Sequence, residues 1–412
     1  MIPCYTWRGI CCADLGGRLP EGAVPTSTPF DPLVLLVHRD PLHSRGIYAV
    51  TTPAEVMEPE GPGLLLPSPT GCLDPDLDPV ILAHGATVLN TAFDRCFEIL
   101  ERFLHPKTMG LRLTVAGLGD VGGTVLTGLT LLGDCIEEIG VFDFYEPLMH
   151  RYCLELNQVL STYDGRKMPR IVARSAEALF DCDVFLFTAS KAVPPVGSEV
   201  KDVRMVQYGA NRDLLRDYAR QARETGFCGL FCQISDPVDH LARSVFLNSN
   251  RTDDGTLDFR GLLPEQIQGY GLGVMEARAK FYARKRGLDE DRVAVFGPHG
   301  QSLIVANDVG DGYDHELSCA LTKDTVTANL AVRELGFKPY IAPGLSSAAI
   351  SILRTVTGQW HPGALPLDGA YLGCYSRLTK KGPQLLRRPL HPTLYSRIEA
   401  VHKALREFDY DG

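Results

Sequence analysis

Nowhere does the 412-residue chain approach the roughly eighteen consecutive apolar residues that a membrane span requires. Its amino terminus, MIPCYTWRGICCADLGG, carries no charged segment followed by a long apolar core, so no secretory leader is expected. Basic residues are not in excess either: 41 Lys and Arg stand against 50 Asp and Glu, a formal charge of −9. Without a basic footprint, the short clusters RKR (284–286) and RLTKKG (377–382) read as solvated faces, and no nucleic-acid partner is expected. The twelve cysteines follow no repeating spacing; Cys228 and Cys232 flank a three-residue gap with no second pair at zinc-site distance. Reduced, buried thiols and no metal are therefore predicted. What is present is an ordinary globular composition, 45% apolar and 22% charged, in a chain long enough for more than one core. These features predict a soluble, cytoplasmic protein without a membrane partner.

The organisation changes near residue 108. Residues 1–108 are rich in Pro and Gly (PEGAVPTSTPFDP, MEPEGPGLLLPSPTGCLDPDLDP), with strand-like pieces PLVLLVHRD and GIYAVTT and a helical stretch AFDRCFEILERFL at 92–104. They read as an extension of short strands and loops that packs on the main body or on a partner subunit. From about 110 the pattern is strand, glycine turn, helix, strand: LRLTVAG, then DVGGTVLTGLTLLG, then CIEEIGVFDF, with further strands at DVFLFTAS (183–190) and FCGLFCQISD (227–236). Alternation of this kind predicts α/β architecture with right-handed crossovers and a doubly wound parallel sheet.

The stretch VAGLGDVGG sets Gly117, Gly119 and Gly122 in G-x-G-x-x-G spacing between a strand and a helix, enclosing Asp120 and Val121. Such a turn brings the backbone close to a pyrophosphate, which meets the unpaired N–H groups of the helix start. Asp143 ends the next strand, at the distance where a carboxylate accepts hydrogen bonds from an adenosine ribose. An acid there, followed by Phe144 and Tyr145 and no arginine, would repel a 2′-phosphate, so NAD is favoured over NADP. A glycine-rich turn in a sheet that binds nothing is the competing reading.

The chain then resembles a family. GLGDVGG, the strand ending in Asp143, ISDPVD (234–239), MEAR (275–278) and FGPHG (296–300) stand in the order seen in the lactate and malate dehydrogenases, from about residue 110 to the C-terminus. The resemblance implies a Rossmann-type NAD domain (109–240) followed by an α+β catalytic domain (241–412), a homodimer or homotetramer, and hydride transfer between nicotinamide and a small carboxylate-bearing 2-hydroxy or 2-oxo acid. It implies cofactor contacts at Gly117, Gly119, Asp120, Val121, Gly122, Asp143, Thr188, Ala189 and Ser190. His299 matches the family's general acid/base, a role that suits an imidazole because its ordinary pKa is near neutrality. Arg278 matches the arginine whose planar fork grips the substrate carboxylate. Arg204, seven residues before Asn211, matches the loop arginine that polarises the substrate carbonyl.

Two positions depart from the family. The carboxylate expected three residues before the gripping arginine is Met275, and Glu276 beside it is rotated about 100° away on a helix, better placed to pair with Lys280. The family's S-N-P-V-D asparagine is Asp236, which when ionised only accepts hydrogen bonds. The sequence leaves three roles open for Asp236: a substitute partner for His299, a group facing an amine or imine substrate as in opine-type chemistry, or a mark of an NAD-binding relative without efficient turnover.

Overall fold

The computed structural model describes residues 2–161, 165–191 and 203–410, with backbone alone for 203–206. Among the described residues, strands β1 (Cys4–Trp7), β2 (Ile10–Asp14), β3 (Val24–Thr26), β4 (Leu33–Val37), β5 (Ile47–Val50) and β6 (Ala86–Asn90) form one mixed sheet in the order β3-β1-β2-β4-β6-β5. Residues 1–108 thus hold the short strands their composition suggests, joined into a continuous layer. The central strand β4, LVLLV, is buried along its whole length because it serves two cores. Leu33, Leu35 and Val37 pack with Tyr48, Ile81 and Val88 on one face. Val34 and Leu36 share the opposite face with Phe93 and Ile99 of the same segment and with Phe185 and Phe231 of the main body.

The main body is a nine-stranded sheet. Strands β7 (Leu111–Ala116), β8 (Ile136–Phe142), β9 (Arg170–Ala173), β10 (Val184–Phe187), β11 (Leu230–Gln233) and β12 (Ile267–Gly269) run parallel in the order β9-β8-β7-β10-β11-β12. This is a doubly wound, Rossmann-type sheet whose order reverses between β7 and β10, and that reversal opens a crevice at the strands' carboxyl ends. Continuous apolar runs suit these strands because both faces are covered. Leu113, Val115 and Leu186 meet Val125 and Leu129 of the helix Asp120–Leu132, while Phe185 and Phe187 meet Tyr218 and Ala222 of the helix Val203–Glu224. The sixth parallel strand comes from beyond residue 240, where the sequence reading placed the domain boundary. It is three residues long and ends in Gly269, too short for a periodic signal.

A two-stranded hairpin of β13 (Ala294–Phe296) and β14 (Ile304–Ala306) stands apart from the large sheet, and β15 (His361–Leu367), β16 (Ala370–Thr379) and β17 (Gly382–Leu385) extend that sheet antiparallel beyond β12. The hairpin's loop carries His299. His299 sits between Gly297 and Gly300, whose φ of +81° and +135° favour glycine, and the Gly297 amide donates to the Gly373 carbonyl of β16 at 2.9 Å.

The amino-terminal sheet is tied to the main body by Glu265, just before β12, whose carboxyl accepts from the amides of Gly46 at 3.0 Å and Ile47 at 3.1 Å. Burial pushes this carboxyl up from 4.5 to about 8, opposed by those same backbone bonds and by Arg45. Because the folded-state value is the higher one, the folded protein holds the proton more tightly, and stability falls as pH rises from about 4.5 towards 8. Glu265→Gln keeps an acceptor and cannot ionise. Urea unfolding from pH 5 to 9 should show the wild type losing stability relative to this variant as pH rises; parallel curves would show that the carboxyl is not raised.

Candidate active site

The glycine turn is built by close approach. Gly117 has a φ of +96°, and a Cβ on it would stand 2.5 Å from the Ala189 amide nitrogen. A Cβ on Gly122 would stand 1.9 Å from the Gly117 carbonyl oxygen, whereas one on Gly119 would meet nothing within 4 Å. The open space therefore lies in front of Gly119, at the start of the helix Asp120–Leu132, whose first N–H groups have no side-chain cap. Asp143 holds the turn from the next strand, accepting from Leu118 N at 2.8 Å and Tyr145 N at 3.0 Å. Thr188 donates its hydroxyl to backbone oxygens of Ala116 and Gly117, so it closes the turn from β10. An open glycine cradle, an uncapped helix start and a carboxylate at the next strand end fit a dinucleotide. At the rim, Asp120 pairs with Lys338 at 2.9 Å, a cation that no sequence pattern marks.

From this turn, contacts lead across the carboxyl ends of the strands. Ser235 donates to the Ala189 carbonyl at 2.6 Å; buried Asn211 donates to the Asp236 carbonyl at 2.8 Å and accepts from the Lys191 amide at 2.9 Å. Ser190 shares the Asn211 side chain. Asp236 then faces His299, with 3.7 Å between Oδ1 and Nε2.

His299 is held at its backbone and at its ring. Its backbone N–H donates to Asp239 Oδ2 at 3.0 Å, and its Nδ1 lies 2.8 Å from the Gly271 carbonyl, which also accepts from Ser347 Oγ at 2.7 Å. A carbonyl oxygen can only accept, so Nδ1 carries the proton and the Nε2 of a neutral ring presents its lone pair towards Asp236. A Cβ on Gly271 would stand 2.7 Å from the His299 Cβ, so the ring depends on a glycine there. Asp239 is fully buried, and its Oδ1 has no hydrogen-bond partner among the described residues. Burial pushes its carboxyl up to about 7, opposed by the His299 amide and assisted by the charge of Asp236.

Gly271 also caps the helix Leu272–Lys285, which carries Met275 and Arg278 one turn apart; Arg278 Nη1 lies 3.9 Å from Met275 Sδ. Arg278 forms no ion pair among the described residues. Burial pulls its guanidinium below the usual arginine value, opposed by Tyr282 and by Asp236, so Asp236 acts on both His299 and Arg278. Glu276 turns elsewhere, to Lys280 at 3.4 Å and the Tyr375 hydroxyl at 3.3 Å. Val121 lies within the turn, with its carbonyl 3.3 Å from where a Cβ on Gly344 would stand. The side chain of Arg204, and most of the loop before it, lie outside the described residues. Sequence reasoning overlooked Gly271 and Lys338, which have no pattern, and Asp239, which sits within the ISDPVD motif it used. No group of three His, Cys, Asp or Glu among the described residues could hold a metal ion, and no described helix is long and apolar enough to cross a membrane.

No family model matches the chain. Its sequence is 24% identical over 276 residues to a malate dehydrogenase of Sulfurimonas denitrificans, covering 64% of this chain and 81% of that protein. It is 23% identical over 200 residues to an L-lactate dehydrogenase of Mesomycoplasma hyopneumoniae, covering 48% of this chain and 57% of that one. Among solved structures, the fold matches a malate dehydrogenase from Archaeoglobus fulgidus in complex with NADH at a TM-score of 0.58 and 22% identity, over 72% of this chain and 98% of the other. A lactate dehydrogenase from a Medee basin deep-sea metagenome library matches at 0.59 and 17% identity, over 73% and 98%. The chain is thus similar, at low identity, to malate and lactate dehydrogenases in sequence, and shares their fold.

Proposed function

We propose that the protein is an NAD-dependent oxidoreductase acting at the carbon beside the carboxylate of a small 2-hydroxy or 2-oxo acid. The observation that carries this reading is the His299 ring, fixed through Nδ1 with Nε2 turned towards Asp236, whose charge also acts on the Arg278 guanidinium, which forms no ion pair among the described residues. The bound coenzyme would supply the hydride acceptor. Gly119 and the uncapped helix start would hold its pyrophosphate, and Asp143, with no basic residue following, favours NAD over NADP. Arg278 would take the substrate carboxylate in two parallel hydrogen bonds and so orient the reacting carbon. His299 Nε2 would accept the hydroxyl proton in oxidation and return it in reduction. Arg204 is proposed for the substrate oxygen on its place before Asn211 alone.

Asp236 supports a second reading of the substrate. A carboxylate beside Nε2 opposes negative charge gathering on a ketone oxygen, but it stabilises a positively charged nitrogen at the same place. In that reading an iminium formed from a 2-oxo acid and an amine takes the hydride and becomes the amine.

Three variants test these roles. Gly119→Ala should leave the melting temperature unchanged, since φ is −67° and the Cβ meets nothing, yet weaken NADH binding at least tenfold; unchanged NADH affinity would remove the pyrophosphate from this cradle. His299→Asn should retain NADH binding and lose roughly a hundred- to ten-thousand-fold in turnover. Retained turnover would end its acid/base role. Asp236→Asn separates the two substrates when NADH consumption is followed with 2-oxo acids, with and without ammonium or primary amines. A gain on oxo acids alone with a loss on the amine mixtures supports the nitrogen reading, and a loss on oxo acids alone contradicts it.

A further inference from the structure

A pocket opens at the amino-terminal ends of the parallel strands, the edge of the sheet opposite His299. It has a structural origin. Strands β12 and β15 are paired at one position, Gly269 with Ala364, and the space beside this short ladder is walled by Phe103, Leu230, Val356, Leu365, Leu378 and Pro383. The buried polar groups in the wall are occupied with one another. His361 Nε2 stands 3.0 Å from Gln268 Nε2 and 2.9 Å from Thr355 Oγ1, and Tyr270 donates to Gln268 Oε1 at 3.0 Å. Burial lowers the pKa of His361 to about 4, so this floor is uncharged at neutral pH. Glu265 also lines the space, with its carboxyl engaged by the amides of Gly46 and Ile47.

Cations are in excess among the remaining lining residues. Arg102 and Lys107 share a single carboxylate, Asp183, at 2.5 and 3.1 Å. Arg377 has no ion pair among the described residues; it lies over the Trp360 ring and donates Nε–H to Gln384 Oε1 at 2.9 Å, which leaves its terminal nitrogens available. Apolar walls with a few convergent polar groups are the usual make-up of a small-molecule site, and here the unbalanced charge is positive.

We propose that this pocket is a second binding site, for a small amphiphilic carboxylate whose apolar tail lies against Leu230, Leu365 and Leu378 and whose acid group pairs with Arg377 and Lys107. A tail of this kind gains from leaving water, and the carboxylate gains a charge-assisted bond to a guanidinium already freed of anionic partners. The site stands apart from the glycine turn and His299, so its occupancy does not depend on coenzyme.

Isothermal titration of the full-length protein with octanoate, below its micellar range, tests the proposal, with octan-1-ol and acetate as controls. Saturable binding of one octanoate per chain is expected, unchanged by saturating NADH and not reproduced by either control. Arg377→Gln should weaken it roughly tenfold, the loss of one charge-assisted bond. Lys107→Gln, at a more exposed position, serves the same purpose if the first variant does not fold. Absence of saturable heat, equal affinity in a folded variant lacking either cation, or displacement by NADH would each overturn the assignment.

Discussion

The hydrogen bond between His299 Nδ1 and the Gly271 carbonyl, 2.8 Å long, decides what the rest of the crevice can do. A backbone oxygen cannot donate, so it fixes the ring's tautomer and leaves Nε2 as the face turned towards Asp236. The bond depends on parts of the chain that are distant in sequence. Gly271 must lack a side chain for the ring to approach, Ser347 shares the same carbonyl, and buried Asp239 holds the His299 amide from the start of another helix.

A neutral carbonyl differs electrostatically from the carboxylate that the family resemblance leads one to expect at Met275. A carboxylate behind the ring would stabilise an imidazolium without facing the substrate, whereas a carbonyl offers only a dipole. Here the nearby negative charge lies on the other side of the ring, at Asp236, where it also acts on Arg278. In the proposed reaction the same carboxylate therefore influences the proton on Nε2, the anchor for the substrate acid and the preferred reacting atom. This is why the choice between an oxygen and a nitrogen substrate turns on Asp236.

Much of this arrangement was legible in the chain. Continuous apolar strands around VAGLGDVGG announced a parallel sheet because strands covered on both faces need no alternation, and Gly117 and Gly122 sit where close backbone approach excludes a Cβ. The pairing of Glu276 with Lys280 followed from helix periodicity. Other features carried no local signal. The Gly271–His299 contact joins residues 28 apart through a backbone atom, which no side-chain pattern encodes. The six-stranded amino-terminal sheet is made of strands of three to five residues separated by Pro- and Gly-rich turns, so its register comes from tertiary packing more than from sequence period. The pocket at the far edge arises from how β12 and β15 meet, which also has no sequence mark.

The tautomer of His299 can be measured directly. In protein labelled with ¹⁵N at histidine, with His299 assigned by comparison with His299→Asn, two-bond ¹⁵N–¹H correlation spectra above the ring's titration should show a protonated Nδ1 and an unprotonated Nε2. A neutral ring carrying its proton on Nε2 would mean that the Gly271 carbonyl does not hold it, and the account of the crevice as an acid/base site built on that bond would be wrong.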